Sequence, residues 1–122
     1  MNENEQIRCQ SDETCDCIQP ELYLSGINTP SCVLLLINKS HFTIGKSLEN
    51  DGVLSLGNEI SRKHCVIDYE QGIYRLKDCG SSNGTKVNGQ TVDQEVGIPI
   101  DNGDIIQLSG STFEVSKIKH DT

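Results

Sequence analysis

The sequence predicts an all-β fold, an antiparallel β-sandwich, and three observations carry that prediction. Short runs rich in Val, Ile, Leu, Tyr and Phe recur from Glu21 onward, each bounded by Gly, Asn, Asp, Ser or Pro. Several alternate with period two: Tyr74 and Leu76 fall on one side of their run, Arg75 and Lys77 on the other, as a half-solvated strand requires. No stretch carries a comparable helical stripe, and the connections leave no room for crossover helices.

Taken in order, the expected strands are "ELYLS" (21–25), "CVLLLI" (32–37), "HFTIG" (41–45), "VLSL" (53–56), "HCVIDYE" (64–70), "IYRLKD" (73–78), "IIQLS" (105–109) and "TFEVSKI" (112–118). In the fifth, Cys65, Ile67 and Tyr69 share a face, which makes Cys65 a small core hydrophobe. Cys32 and Cys79 mark the start and the end of strands. "DNGD" (101–104) lacks the alternating acidic ligands and terminal Glu of a calcium loop, so it reads as a tight hairpin turn.

A chain of 122 residues that is 34% hydrophobic supports one core, hence one domain. The division expected is an acidic tail at 1–20, a domain at 21–118 and a short C-terminal tail at 119–122. No apolar run is long enough to span a bilayer, and the polar opening "MNENEQIRCQ" resembles no signal peptide, so membrane insertion is not expected and the compartment expected is the cytoplasm. The net charge of −8 argues against a nucleic-acid partner. Half of that charge lies in the first 20 residues, where Glu3, Glu5, Asp12, Glu13 and Asp16 face Arg8 alone. Lys46, Arg62 and Lys63 instead sit in or beside loop signals, where a local positive pocket would suit a small anion.

Two loops concentrate polar chemistry. "CGSSNGTKVNGQ" (79–90) holds two Asn-Gly pairs and a cluster of hydroxyls, far more turn chemistry than one hairpin needs. "GNEISRKHC" (57–65) sets Ser61, Arg62, Lys63 and His64 side by side. Loops gather at the ends of a sandwich, so these two are expected to meet and to offer guanidinium, hydroxyl, amide and backbone N–H donors, the groups that hold a phosphate.

Four landmarks, "FTIGK" (42–46), "ISRKH" (60–64), "YRLKDCGSSNGTKVNG" (74–89) and "IDNGDIIQL" (100–108), occur in an order and at separations that resemble a forkhead-associated (FHA) domain from about Glu21 to Ile118. The resemblance implies an eleven-strand sandwich that binds phosphothreonine peptides, with no cofactor and no enzymatic activity. Its partners would be proteins phosphorylated by a Ser/Thr kinase. By the same resemblance Lys46 and Ser61 contact the phosphate and Arg62 the phosphate or peptide. Ser82 lines the phosphothreonine pocket, and Asn83 bonds the peptide backbone. Gly45, His64, Gly84 and Asn88 match positions that hold the loops in shape. Lys46 departs from the family, which more often has Arg there; an ammonium acts as a point charge and cannot make the planar two-point contact of a guanidinium. The alternative is a scaffold that keeps the fold and reads an unmodified partner, which would require degenerate basic and hydroxyl positions.

Other readings are weaker. His64 and Cys65 are neighbours in the chain and point to opposite faces, so they make no nucleophile and base pair; His64 is expected to be structural. There is no Walker loop and no triad. Cys9, Cys15 and Cys17 are the weak metal candidates, with Cys32 as a conceivable fourth zinc ligand. Their spacing lacks a C-x-x-C pair, so a disordered tail is preferred, though a cysteine-rich segment before the module resembles some bacterial members of the family. Disulfides are not expected in a reducing compartment.

Overall fold

The computed structural model describes residues 17–30, 32–55 and 59–118. They contain eleven strands: β1 (Leu22–Asn28), β2 (Leu34–Leu36), β3 (His41–Gly45), β4 (Gly52–Val53), β5 (Cys65–Glu70), β6 (Ile73–Asp78), β7 (Thr85–Val87), β8 (Gln90–Thr91), β9 (Ile98–Ile100), β10 (Ile105–Leu108) and β11 (Ser111–Lys117). One sheet has the order β2-β1-β11-β10-β7-β8 and the other β4-β3-β5-β6-β9, so the all-β sandwich predicted by the sequence forms.

Alternation supplies the core. Leu22, Leu24, Ile106, Leu108, Phe113 and Val115 point inward from the first sheet, and Phe42, Ile44, Cys65, Ile67 and Leu76 from the second; each is at most 4% exposed. Burying a side chain of this size contributes roughly 1.5–3 kcal/mol. Tyr74 and Leu76 are buried while Arg75 and Lys77 are half-buried on the opposite face, as their period-two pattern requires. Cys65 is a core residue, and Cys17, Cys32, Cys65 and Cys79 are all free thiols.

Four local features differ from the expectation. The pairing is antiparallel except between β3 and β4, which run parallel with Ile44 opposite Gly52. The chain leaves β3, loops over residues 46–51 and returns alongside it, held there because the Asp51 carboxylate accepts the Thr43 N–H at 3.0 Å. Of the expected strand 53–56, Val53 pairs with β3 as part of Gly52–Val53, Leu54 is buried in the core with its N–H on the Gly45 carbonyl at 2.8 Å, and residue 56 lies outside the described residues. "DNGD" is a tight turn, closed by Asp104 N–H on the Asp101 carbonyl at 3.1 Å, but it joins β9 to β10 across the two sheets and is therefore not a hairpin. Cys17 and Ile18, placed in the tail by composition, run antiparallel to Asn38 and Lys39, with the Ile18 N–H on the Asn38 carbonyl at 3.0 Å and Ile18 packed against the core.

Cys9 and Cys15 lie outside the described residues. Cys17 is exposed, and among the described residues no group of three His, Cys, Asp or Glu side chains is placed to hold a metal. No helix of the described residues is long and apolar enough to cross a membrane.

Candidate functional site

One end of the sandwich collects the C-terminus of β3, the start of β5, the end of β6, the start of β7 and the turn between β10 and β11. The loops at this end are stitched together by long-range hydrogen bonds. Lys46 N–H donates to the Ser61 carbonyl at 2.9 Å and Ser47 N–H to the Arg62 carbonyl at 3.1 Å, which docks the 46–51 loop against residues 59–64. This docking explains Gly45: a Cβ there would lie 2.1 Å from the Arg62 carbonyl oxygen. The Asn50 amide completes the seam by donating to the same oxygen at 2.7 Å.

Residues 59–64 then meet the 79–84 loop, as their common place at the sandwich end requires. The Ser82 N–H donates to Ser61 Oγ at 3.0 Å, which leaves the Ser61 hydroxyl proton to donate outward. Asn83 donates one amide hydrogen to the Glu59 carbonyl at 3.0 Å, and the residue is exposed.

His64 lies beneath this junction, fully buried. Its Nδ1 accepts the Ser61 N–H at 3.1 Å, so the ring proton resides on Nε2, which donates to the Gly84 carbonyl at 2.9 Å. One imidazole thereby fixes both loops at once. Gly84 itself has a φ of 87°, a conformation that favours glycine.

Sequence reasoning missed Asp78. Its carboxylate accepts the Gly80 N–H at 2.8 Å, the Ser81 N–H at 2.9 Å, the Ser81 hydroxyl at 2.6 Å and the Thr85 hydroxyl at 2.7 Å. Burial pushes this carboxyl up, yet the hydroxyls of Ser81 and Thr85 and the N–H groups of Ser81 and Gly80 outweigh it and hold the group below its ordinary value. The signal was present in the sequence, because an Asp two residues before Gly-Ser-Ser is placed to organise a turn through its own side chain.

Lys46, Arg62, Ser82 and Asn83 are exposed and Ser61 is half-buried, all around the same loop junction. Arg62 and Lys63 line a half-open hollow of about 320 Å³ with Thr43, Ser47, Glu49 and Asn50, and no carboxylate of the described residues forms an ion pair with either cation. Asn88 is not part of this junction. It stands at the far end of β7, where its side chain donates to Asp104 at 3.1 Å and accepts the Ile105 N–H at 2.9 Å, so it shapes the opposite end of the sandwich. With Gly89 it forms the tight turn between β7 and β8, at φ of 50° and 84°.

The sequence pattern of the FHA domain matches residues 42–109, which include the 46–51 and 79–84 loops and residues 59–64. The chain belongs to the FHA-domain family. An FHA domain-containing protein of Arabidopsis thaliana is 32% identical over 73 residues, 60% of this chain and 19% of that protein. The E3 ubiquitin-protein ligase CHFR of Xenopus tropicalis is 33% identical over 87 residues, 70% of this chain and 14% of the ligase. The chain thus spans less than a fifth of either relative. Among solved structures, Mycobacterium tuberculosis EmbR in complex with a low-affinity phosphopeptide superposes with a TM-score of 0.72 at 26% identity, covering 85% of this chain and 26% of EmbR. The FhaA FHA domain, solved with an intracellular domain of another protein, gives 0.67 at 26% identity and covers 77% and 98% of the two chains. FHA domains are interaction modules.

Proposed function

We propose that this FHA domain binds phosphothreonine-bearing segments of partner proteins and acts as a reader in Ser/Thr kinase signalling, without catalytic chemistry of its own. The observation that carries the reading is the junction itself: Ser61, Arg62, Ser82 and Asn83 are brought to one rim with Lys46 on the adjoining loop. The neighbouring thiols argue in the same direction. Burial pushes the Cys65 thiol well up, with Cys79 and Asp78 adding to it, and Cys79 is also raised by burial despite the opposing charge of Lys63, so neither offers a thiolate nucleophile.

Magnitudes indicate what else the site must hold. About three charged hydrogen bonds at roughly 1.5–3 kcal/mol each sum to roughly 5–9 kcal/mol, while association costs about 4–15 kcal/mol. Free phosphate should therefore bind poorly. Micromolar affinity, about −8 kcal/mol, needs contacts to the peptide on either side of the phosphate.

Calorimetry with a phosphothreonine peptide and its unmodified twin tests the reading. Only the phosphorylated form is expected to bind, because a phosphate charge of about −1.5 to −2 is what gives the donors their partner. Equal affinity for both would favour a phosphate-independent scaffold.

Substitutions locate the recognition. Arg62→Ala, Ser61→Ala and Lys46→Ala are each expected to weaken phosphopeptide binding by about 1.5–3 kcal/mol while the melting temperature moves little, since all three side chains lie at the rim. Lys46→Arg is expected to match or tighten the wild type, because a guanidinium satisfies two phosphate oxygens at once. Unchanged affinity in Arg62→Ala and Ser61→Ala together would place the phosphate elsewhere.

A further inference from the structure

The end of the sandwich opposite the junction holds a second hollow, of about 290 Å³, between the β5–β6 turn and the β9–β10 turn. Ile73 and Pro99 form its apolar wall, and Ile73 is 45% exposed, a large apolar side chain left uncovered beside the buried Tyr74. Glu21, Asp101 and Lys117 stand at its exposed rim, and Tyr74 lines it from within.

Tyr74 is the anomaly. Its ring lies 4.6 Å from that of Tyr69 and the residue is only 5% exposed, yet its hydroxyl has no hydrogen-bond partner in the protein, the one buried side-chain polar atom of the described residues in that state. Burial pushes the phenol up, and the Glu21 carboxylate and Tyr69 push it further; the Glu21 N–H opposes this from nearby without reaching hydrogen-bond geometry. The hydroxyl is therefore neutral, sits beside Glu21, and has its proton and lone pairs uncommitted. A buried hydroxyl left unpaired destabilises a fold, and phenylalanine would fill the same place in the core without that cost. A polar atom that costs the fold and returns nothing to it is one that a ligand can satisfy.

The rim indicates the sign of that ligand. Two carboxylates face one ammonium, and among the described residues none of Glu21, Asp101 and Lys117 forms an ion pair. Glu70 and Asp104 lie at this same end, whereas Lys46, Arg62 and Lys63 lie at the junction, so the two ends of the sandwich carry opposite charge.

We propose that this hollow is a docking site for an Arg or Lys side chain of a partner polypeptide, separate from the phosphate-reading junction and independent of how that junction works. The aliphatic stem lies along Ile73 and Pro99, while the N–H groups of the head donate to Glu21, Asp101 and the Tyr74 oxygen. Arg suits the place better than Lys, because a planar fork reaches several acceptors at once. Lys117 repels a second base, so an isolated cation fits better than a basic run.

The test titrates the full chain with acetyl-Gly-Arg-Gly-amide at low salt and follows the backbone amides by NMR. Its Lys counterpart and its citrulline counterpart, which is neutral and of the same shape as Arg, run alongside. Saturable shifts are expected at residues 21, 72–73 and 100–101, stronger for Arg than for Lys and absent for citrulline. Glu21→Gln should weaken the Arg peptide by about three- to fivefold, as for an exposed ion pair, with phosphothreonine-peptide affinity unchanged. Tyr74→Phe should weaken it by about two- to tenfold, the range for one hydrogen bond, while melting at or above the wild-type temperature. Shifts that scatter over the acidic surface, citrulline binding equal to Arg, or an Arg affinity that Tyr74→Phe leaves unchanged overturns the site. So does a Tyr74→Phe protein that melts well below the wild type, since the hydroxyl would then serve the fold, and so does an equal loss of Arg-peptide and phosphopeptide binding in Glu21→Gln, since the two ends would not be separate.

Discussion

His64→Ala is expected to lower the stability of the domain by about 3–5 kcal/mol, the range for emptying a ring-sized site in a packed core. The imidazole is fully buried, and its removal leaves the Ser61 N–H and the Gly84 carbonyl without the groups that satisfy them. A buried polar group left unpaired costs about 1–3 kcal/mol, so the hydrogen bonds and the void act in the same direction. At roughly 4–8 °C per kcal/mol for a domain near this size, a thermal melt will resolve the change easily. Phosphopeptide affinity should fall as well, because Ser61 and Gly84 lose their common anchor. A His64→Ala protein that melts like the wild type but does not bind would make His64 a ligand contact instead of a structural post.

How much of this was legible in the sequence depended on length and on distance. β3 and β6 begin and end where alternation placed them, at His41–Gly45 and Ile73–Asp78, because five or six residues are enough to show a period of two. β7, β8 and β9 have three, two and three residues, too few for any period, and the first two are embedded in turn residues that read as loop. The direction of β4 was equally hidden, since parallel pairing of two residues follows from where the 46–51 loop docks and leaves no local trace.

The site divides in the same way. Ser61, Arg62, Ser82 and Asn83 were legible as a group because each lies in a dense local cluster of polar residues and the sandwich brings its end loops together. The tie from the Ser109 hydroxyl to the Glu59 carboxylate was not, the two residues being 50 apart and ordinary in their own contexts; only the register of β10 against β7 brings the β10–β11 turn to the Gly84 loop. Asn88 shows the converse. Its Asn-Gly turn signal was read correctly, yet the length of β7 puts that turn at the other end of the molecule from the Asn83-Gly84 pair only five residues before it.

Asp78→Ala is expected to cost about 2–4 kcal/mol of stability and to abolish measurable phosphopeptide binding. Hydrogen bonds to a charged acceptor are worth roughly 1.5–3 kcal/mol each, but the four here are not additive, and the Gly80 and Ser81 N–H groups can turn to water when the carboxylate is gone. The Thr85 hydroxyl cannot, since Thr85 is 1% exposed, and its loss of a partner sets the floor of the effect. Binding suffers more than folding because Ser82 and Asn83 sit in the turn that Asp78 organises, and their contacts to Ser61 and Glu59 depend on its shape. The sign of the pH dependence follows from the lowered carboxyl: the folded state holds the ionised form more strongly than the unfolded chain, whose value is near 3.8. The contribution of Asp78 is therefore complete above that value and is lost as pH falls below it, through the folded-state pKa. Stability curves of wild type and Asp78→Ala should run parallel from about pH 7 to pH 5 and converge below about pH 4. Asp78→Asn should fall between the two, since its amide oxygen can still accept the backbone N–H groups while its NH₂ meets the hydroxyls, and it should show no convergence of acid origin. If the gap between wild type and Asp78→Ala stays constant down to the acid transition, the side chain acts through shape alone, and its charge plays no part in holding the loop.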